Sequence, residues 1–539
     1  MIPPEAPPRG PRLRIVGVND VYALENLPRL RSLVRHHAAV DPADVLLVSL
    51  AGDFVAPSIL SSLDSGRGMI DCLRVVGVTH AIFGNHEDDI PTEELRRRIR
   101  ELGATWLNTN ARGFDPSLPA HQVVEVGRAG GRRVRVGLLG VVMHDEAAYR
   151  RRPFGGCDLV PANAAAQAEA ARLVRDEGCA CAIPLTHQSM DDDRALARAE
   201  RDPPFPLIMG GHEHVPFLEQ VAGTWIVKAG ADAVRALVVD LVWPAEAPPA
   251  GAWDLPAVTA RLDDVAGYPD DPELRARVDG YLRRVHDLEA ATLVRLGPGE
   301  SLSSIGTRAQ QTSLGTLVCS RLRDAVGAEA CLFNGGGLRA GRAYHGHFTY
   351  GDVKAELPFD NEIVVALLPG RVVREAVVAS RARAPAESGG FLQVDDRIGV
   401  NGGTVTAIGG APLIEDREYR VALVRNLFTG MDHIEPLVRF AREHPEKVPP
   451  PDSGRDVKVV LVDAFSIALW KRLGGFDAID ENHDGVVTEP EVAAAVARFT
   501  AEPPSDITAN LLINALDVDH DQVISRGEAE RIEGPKKGA

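Results

Sequence analysis

The chain has 539 residues and a mass of 57.8 kDa, 45 % apolar and 25 % charged, which fits several globular domains and excludes a disordered or collagen-like chain. A net charge of −17 argues against a surface built to grip a phosphate backbone, so nucleic acid is not expected as a partner. The apolar runs are strand-length, far short of the ~18–20 residues that span a bilayer. The first residues lack the basic and apolar regions of a signal peptide, and six cysteines without a C-x-x-C pair point to reduced, buried thiols and a cytoplasmic location.

Residues 12–245 alternate short apolar runs with helical stretches. Runs at 13–18, 45–50, 134–142, 181–185 and 205–209 read as buried strands, and 164–178 and 194–200 as helices, an α/β pattern in which sheet is covered by helix. A Pro/Ala-rich break at 242–256 closes the region. The Asp-Pro entry and charged periodicity of 270–293 predict a helix joining two domains. A second α/β region with Gly-rich loops runs from about 297 to 464 and is expected to end in a strand over 457–462. The last 74 residues carry 14 acidic and 7 basic side chains, the mark of a separate acidic module. The expected divisions are therefore 1–265, a linker helix over 266–296, 297–465 and 466–539.

Acidic, amide and imidazole residues recur just after the predicted strands of the first region. They are Asp20, Asp53, Asn85-His86-Glu87, His187, and His212 with His214. A lone Asp after a strand is usually a helix cap, and a lone His usually structural. Polar segments distant in the chain but all at strand carboxyl ends should meet on one rim. There they form a ligand set for two divalent metals of the Mn, Mg, Fe, Co or Zn type. Such a pair, bridged by a carboxylate, activates a shared hydroxide and clamps phosphoryl oxygens.

The stretches GDFVAPS, GNHEDD and GGHEH resemble the metallophosphoesterase signature. Residues 12–465 resemble the 5′-nucleotidase family, in which a calcineurin-like metallophosphoesterase domain precedes a nucleotide-binding domain. The resemblance implies a four-layer β-sandwich flanked by helices, followed by a second α/β substrate domain. It places Asp20 and His214 on one metal and Asn85, His187 and His212 on the other, with Asp53 bridging. It makes His86 and Asp89 a dyad in which the imidazole stabilises or protonates at the phosphoryl group while the carboxylate orients it. Asn85 and His86 would hold the transferring phosphoryl oxygens. One departure stands out. The family's D-x-H stretch, whose His is a ligand, reads Asp20-Val21-Tyr22 here. A neutral phenol is a poor ligand, so the first site is expected to be one ligand short, more solvent-filled or more weakly occupied.

In the middle region RAQQTSLGTL (308–317), FNGGGLRAG (333–341) and GGFLQV (389–394) resemble the family's substrate loops, with Gln311 where Glu is usual. Arg308 and Arg339 offer fork-shaped donors suited to phosphate. Gly335, Gly336 and Gly337 let backbone approach a ligand. Asn334 reads a base edge, and Phe391 offers a stacking face. A second departure is Gly430-Met431-Asp432-His433-Ile434, with Ile434 where the family places another aromatic. His433 stacks in its stead, or the base is held on one side only.

The C-terminal module contains Asp480-Glu-Asn482-His-Asp484-Gly485-Val486-Val-Thr488-Glu-Pro-Glu491, a full match to the EF-hand calcium loop. Side-chain oxygens of Asp480, Asn482 and Asp484, the Val486 carbonyl, Thr488 and a bidentate Glu491 supply the shell, and Gly485 permits the turn. A second copy starts 37 residues on, with Asp517, Asp519, Asp521, Val523, Ser525 and Glu528 as ligands and Gln522 at the glycine position. A left-handed non-glycine costs roughly 1 kcal/mol, so a weaker second site is expected in what resembles an all-α EF-hand pair. A protein partner is one role for it; regulation and stabilisation are the others.

The combined expectation is a metal-dependent phosphoesterase that hydrolyses nucleotides, with a calcium-binding C-terminal module and no membrane span. A nucleotide-sugar or 2′,3′-cyclic nucleotide phosphodiesterase on the same scaffold is the alternative, motivated by Tyr22, Gln311 and Ile434. A non-catalytic calcium-responsive binding protein is the third reading.

Overall fold

The computed structural model describes residues 10–533 apart from 146–147, 150–152, 201, 250–251, 291, 360, 451–452, 501–505 and 518–520. The chain forms two compact units, Met1–Leu282 and Arg283–Ala539. The division falls inside the helix Pro272–Glu289, where the sequence predicts a linker helix.

The first unit contains two six-stranded sheets. One runs, in spatial order, Ala257–Asp264, Arg235–Val242, Arg12–Val18, Val45–Ala51, His80–Ile82 and Thr105–Leu107. From Arg12 onward these strands pair parallel, with Ile15 opposite Leu47 and Ser49 opposite His80. Parallel pairing requires crossovers, and the helices Leu27–Ala39, Arg67–Val76 and Thr92–Leu102 supply them. The other sheet runs Phe217–Val221, Thr224–Lys228, Leu207–Gly211, Cys181–His187, Val134–Val142 and His121–Val126. Its four inner strands are parallel.

The two sheets face each other across one apolar core. Ile15, Leu47, Ile82 and Leu107 of the first meet Val136, Leu138, Ile183, Leu185 and Met209 of the second. The outer face of the second sheet buries Leu139, Val141, Ala182 and Ile208 against Ala166, Ala170 and Leu173 of the helix Ala162–Glu177. Strands buried on both faces read as continuous apolar runs, which is why these are legible in the sequence. The parallel strands end at Val18, Ala51, Ile82, His187 and Gly211, and the polar residues that follow those ends build the site.

The second unit has a five-stranded sheet in the order Leu392–Val394, Ala330–Asn334, Glu418–Val424, Glu362–Pro369 and Arg455–Asp456. The expected strand over 457–462 is instead the first half of a helix, Val457–Arg472. Asp456 accepts from the Lys458 and Val459 N–H groups and so caps its N-terminus. The helix continues through 16 residues, too long for a strand, and the length together with the cap separates the two readings. The expected boundary at 465/466 thus lies inside a continuous helix. That helix packs on the helix Ser313–Ala325 and on the helix Asp506–Leu516. Its C-terminal half contributes Leu469 and Trp470 to a core with Ile479, Val487, Val492, Leu512 and Ile524.

All six cysteines are buried with free thiols. Among the described residues no helix is long and apolar enough to cross a membrane.

Candidate active site

Asp20, Asp53 and His187 each present a ligand atom, and those atoms lie within 4.8 Å of one another. Each carboxylate has one oxygen committed to donors and the other turned inward. Asp20 Oδ2 accepts from Asn19 Nδ2 at 2.6 Å and from the His212 N–H at 2.9 Å. Asp53 Oδ1 accepts from the His86 N–H at 2.8 Å. The inward oxygens face imidazoles: His187 Nε2 is 3.0 Å from Asp53 Oδ2, and His214 Nε2 is 3.6 Å from Asp20 Oδ1. His187 Nδ1 bonds to the Ala51 carbonyl at 2.7 Å, which fixes the tautomer and aims Nε2 at the carboxylates. His212 packs against His187 with ring centroids 5.4 Å apart, and its Nδ1 is buried without a hydrogen-bond partner. Asn85 is buried and opens the turn Asn85–Asp89 directly after the strand His80–Ile82.

Backbone conformation carries the same message. Asp20, Asp53 and His212 adopt positive φ of 53°, 56° and 84°. Such conformations cost of order 1–3 kcal/mol each and collect at functional sites. A Cβ at Gly84 would collide with Asp53, and one at Gly211 with the Ala51 carbonyl, so the loops close on each other at glycine contacts.

Electrostatics separates the groups. Burial pushes Asp53 up, but the neighbouring His187 and then His86 more than reverse this, holding it below the usual carboxylate range. His187, against its own burial, is held up to about 10 chiefly by Asp53. Asp20 is raised, mainly by burial. Burial, then the charge of His187, pushes His212 well below its ordinary value, leaving a neutral, ligand-ready imidazole. The 3.0 Å approach of His187 Nε2 to Asp53 Oδ2 marks a position that suits a cation. Buried carboxylates with inward-facing oxygens, a neutral imidazole and an orphaned ring nitrogen together fit a divalent metal centre.

Four residues brace this arrangement; the sequence places Glu87 with the ligand set and assigns no role to the other three. Glu87 is fully buried and accepts from the N–H groups of Asp53, Phe54, Val55 and Gly84 at 2.6–3.0 Å. Burial, then the charge of Asp53, pushes its carboxyl up to about 7. Asn19 joins Asp20 to the Ala229 N–H. Asp232 Oδ1 accepts from the Tyr22 and Ala23 N–H groups at 2.9 and 3.0 Å. Lys228 is fully buried and its Nζ donates to the Gln188 and Gly211 carbonyls at 2.8 Å and pairs with Asp193 at 2.9 Å and with Glu213. A lysine closing the apolar strand Thr224–Lys228 is the one readable signal among these.

Lys228→Met is expected to destabilise the first unit by roughly 3–5 kcal/mol, the cost of leaving a buried partner charge uncompensated. Urea unfolding monitored by fluorescence measures it. A loss under about 1 kcal/mol would show that Asp193 does not depend on Lys228.

In the second unit the loops that the sequence expects to contact substrate meet. The Gly336 N–H donates to the Gly389 carbonyl at 2.7 Å, and the Ser388 N–H to the Arg308 carbonyl at 2.8 Å. Asn334 Nδ2 donates to Asp432 at 2.7 Å, while Asn334 Oδ1 is buried without a partner. Phe391 is only 5 % exposed and has the Arg381 guanidinium over its ring at 5.2 Å. Arg339 lies over the ring of Phe359 at 5.5 Å. Ile434 is buried in the core, and exposed His433 stands at positive φ. Gln311 has a local explanation. Its amide donates to the Val394 carbonyl at 3.0 Å and accepts from the Val394 N–H at 3.1 Å. A carboxylate could only accept.

The two C-terminal loops share one hydrogen-bond pattern. The N–H groups of Gly485 and Gln522 donate to Asp480 and Asp517, those of Val486 and Val523 to Asp484 and Asp521, and those of Thr488 and Ser525 to Glu491 and Glu528. Gln522 adopts φ 69° where Gly485 has 89°. The strands Val486–Thr488 and Val523–Ser525 pair antiparallel, with Val487 opposite Ile524. Asp519 lies outside the described residues.

Residues 13–216 match the calcineurin-like phosphoesterase model, and residues 290–439 match the 5′-nucleotidase C-terminal domain. Both are domains of phosphoric ester hydrolases. The two matches stand in the order phosphoesterase domain, then 5′-nucleotidase C-terminal domain.

A trifunctional nucleotide phosphoesterase protein, YfkN of Bacillus subtilis (strain 168), is 23 % identical over 428 residues, covering 71 % of this chain and 28 % of that protein. The chain thus spans little more than a quarter of that relative's length. An NAD nucleotidase (NadN) from Haemophilus influenzae has a similar structure with TM-score 0.64 at 14 % identity, over 86 % of this chain and 96 % of that one. A 5′-nucleotidase precursor from Thermus thermophilus gives a TM-score of 0.52 at 20 % identity, over 84 % of this chain and 96 % of that one. At these identities the likeness is one of fold.

Proposed function

We propose that the protein is a divalent-metal-dependent phosphoesterase that hydrolyses nucleotides. The observation that carries this reading is the buried cluster of Asp20, Asp53 and His187 with inward-facing ligand atoms at the ends of parallel strands. Asp20 and His214 would hold one cation, Asn85, His187 and His212 the other, and Asp53 would bridge. When bound, two such cations supply Lewis acidity to water and to the phosphoryl oxygens. The chain's own residues do the rest. Asp53 and Asp20 bring negative charge into a dry site, His187 and His212 are locked in orientation by the Ala51 carbonyl and by packing, and His86 is oriented by Asp89. Arg308, Arg339 and Asn334 supply the donors that suit a nucleotide's phosphate and base.

The test is phosphate release from nucleoside monophosphates, a nucleotide sugar, a 2′,3′-cyclic nucleotide and an aryl phosphate. Metal-stripped protein is used, then resupplied with manganese. Metal-dependent release with a nucleotide as the best substrate is expected. No release from any ester with any of Mn, Zn, Fe, Co or Mg would sink the reading. A second reading, a nucleotide-sugar or cyclic-nucleotide phosphodiesterase, is favoured by one observation: Phe391 is covered and Ile434 is buried, so no open aromatic clamp waits for a base among the described residues. The same panel separates the two by which ester is cleaved fastest.

We also propose that the loops 480–491 and 517–528 bind calcium. Asp480 is 3 % exposed, and its Oδ1, like Glu491 Oε1, is buried without a partner. An unpaired buried carboxylate oxygen is costly, and a cation would satisfy both. Calcium at about 100 times its Kd adds about 2.7 kcal/mol, so the melting temperature of the second unit should rise by roughly 5–10 °C. Asp480→Ala should remove most of that rise. An unchanged melting temperature on chelation would refute a stabilising role.

A further inference from the structure

We propose that Tyr22 is a ligand of the first metal site, its phenolic oxygen taking a coordination position beside Asp20, Asp53 and His214. The inference rests on the dinuclear reading above and sharpens it. A phenol two residues after Asp20 is a weak candidate by residue type alone. Its placement makes the case.

The Tyr22 hydroxyl lies 3.3 Å from Asp20 Oδ1, 3.4 Å from Asp53 Oδ2 and 3.2 Å from His214 Nε2. These are three residues of one proposed metal site, reached from three separate segments of the chain. Both carboxylates have already committed their other oxygens, to Asn19 and the His212 N–H and to the His86 N–H. The two oxygens that turn toward Tyr22 are therefore the ones available for coordination. A single phenolic proton serves one acceptor, yet two carboxylate oxygens and an imidazole nitrogen surround it. That crowding of electron-rich atoms is what a cation resolves.

The tyrosine is also held in position independently of any ligand. Asp232, itself at positive φ, accepts from the Tyr22 and Ala23 N–H groups, and its own N–H donates to the Asp20 carbonyl at 2.8 Å. Asn26 Nδ2 donates to the Asp232 carbonyl. Asp20 and Tyr22 are thus presented by one braced turn. The Tyr22 ring packs edge-on to His214 at 5.4 Å, which limits its swing.

On coordination the O–H bond breaks, an oxygen–metal bond forms, and the proton leaves to solvent. The resulting donor set has three oxygens and one nitrogen where an imidazole would have made it two and two. More oxygen favours a harder ion, manganese or iron over zinc.

The experiment loads metal-stripped full-length protein with manganese in the presence of excess calcium, which fills the loops 480–491 and 517–528, and counts bound manganese by elemental analysis, then repeats with iron(III) and records the visible spectrum. Wild type should bind two manganese equivalents at the paired sites and show a tyrosinate-to-iron(III) charge-transfer band. Tyr22→Phe should lose roughly 10–100-fold in affinity for one manganese, the scale of losing a supporting group at a metal site, keep the other, and lose the band. Tyr22→His should restore two-metal binding without the band, which also answers for a folding defect in the phenylalanine variant. Two tight equivalents in Tyr22→Phe, or no band in iron-loaded wild type, would overturn the assignment while leaving the dinuclear reading intact. Wild type that binds no metal at the Asp20–Asp53 cluster would overturn both.

Discussion

Asp53→Asn is expected to lose phosphate release by roughly 10²–10⁴-fold and to lose tightly bound metal from both positions at once. Removing even an outer partner of a metal ligand costs roughly 10–100-fold in metal affinity, and in the proposed arrangement Asp53 would serve both cations. Its Oδ2 faces His187 at 3.0 Å and the Tyr22 hydroxyl at 3.4 Å, so it looks toward both halves of the site. The substitution is nearly isosteric, and an asparagine oxygen can still accept from the His86 N–H as Asp53 Oδ1 does. The fold should therefore survive, and loss of metal can be read apart from loss of structure. His187 provides an internal check. Asp53 is the chief reason its ring holds a proton up to about 10. In Asp53→Asn the burial that pushes His187 down keeps Asp20 and the Ala51 hydrogen bond against it but loses its chief opponent, so the ring should titrate lower. Elemental analysis, phosphate release and the proton NMR of His187 measure the three effects. Release within about tenfold of wild type would remove Asp53 from the bridging role.

How much of this is legible in the chain depends on the range over which each residue acts. Asp20, Asp53, Asn85, His187 and His212 follow apolar strand runs. Each parallel sheet brings its own strand ends to one edge, and the two sheets face each other, so the order of residues along the chain already implies a meeting place. Glu87, Asp232 and Lys228 act through backbone groups of other segments. Glu87 gathers four N–H groups from the turns at 53–55 and 84, and nothing in its neighbours' identities announces that. The first half of the helix Val457–Arg472 reads as a strand because a six-residue window, apolar but for Lys458, has no period of its own. Its cap at Asp456 and its continuation into Trp470 decide the matter, and both lie outside the window. Gln311 looks in sequence like a change in the site, whereas its amide completes a backbone pair with Val394. Phe391 carries a stacking motif in sequence, while its ring is covered by Arg381, from a different stretch of the chain. Residue type and spacing thus identify the groups that meet ligand atoms, and tertiary contacts decide which side chains brace them.

His86→Ala is expected to lower kcat by roughly 10²–10⁴-fold, the range for removing a positioned general acid, while metal content stays at the wild-type level. The two halves of this expectation come from different atoms of one residue. The His86 backbone N–H donates to Asp53 Oδ1, and that bond survives truncation of the side chain, so the Asp53 carboxylate keeps its orientation. The imidazole Nδ1 lies 2.9 Å from Asp89 Oδ2 across the turn Asn85–Asp89. With Nδ1 turned to the carboxylate, Nε2 is the ring atom that the proposed mechanism assigns to a phosphoryl oxygen or a leaving alkoxide. Asp89→Asn should then cost less than His86→Ala, because an amide oxygen still accepts from Nδ1–H and keeps the ring aimed, though it no longer stabilises the imidazolium. The order of the two variants carries the argument. If Asp89→Asn were as damaging as His86→Ala with metal content unchanged, the carboxylate's charge and not its aim would be the essential contribution. If His86→Ala lost metal as well, the side chain would belong to the cation site itself. Substrate choice supplies a further discriminator. Protonation of the leaving group matters least when that group departs readily, so an aryl phosphate should suffer a smaller loss in His86→Ala than a nucleoside monophosphate. Equal losses on the two esters would assign His86 to charge stabilisation at the phosphoryl oxygens instead of proton transfer.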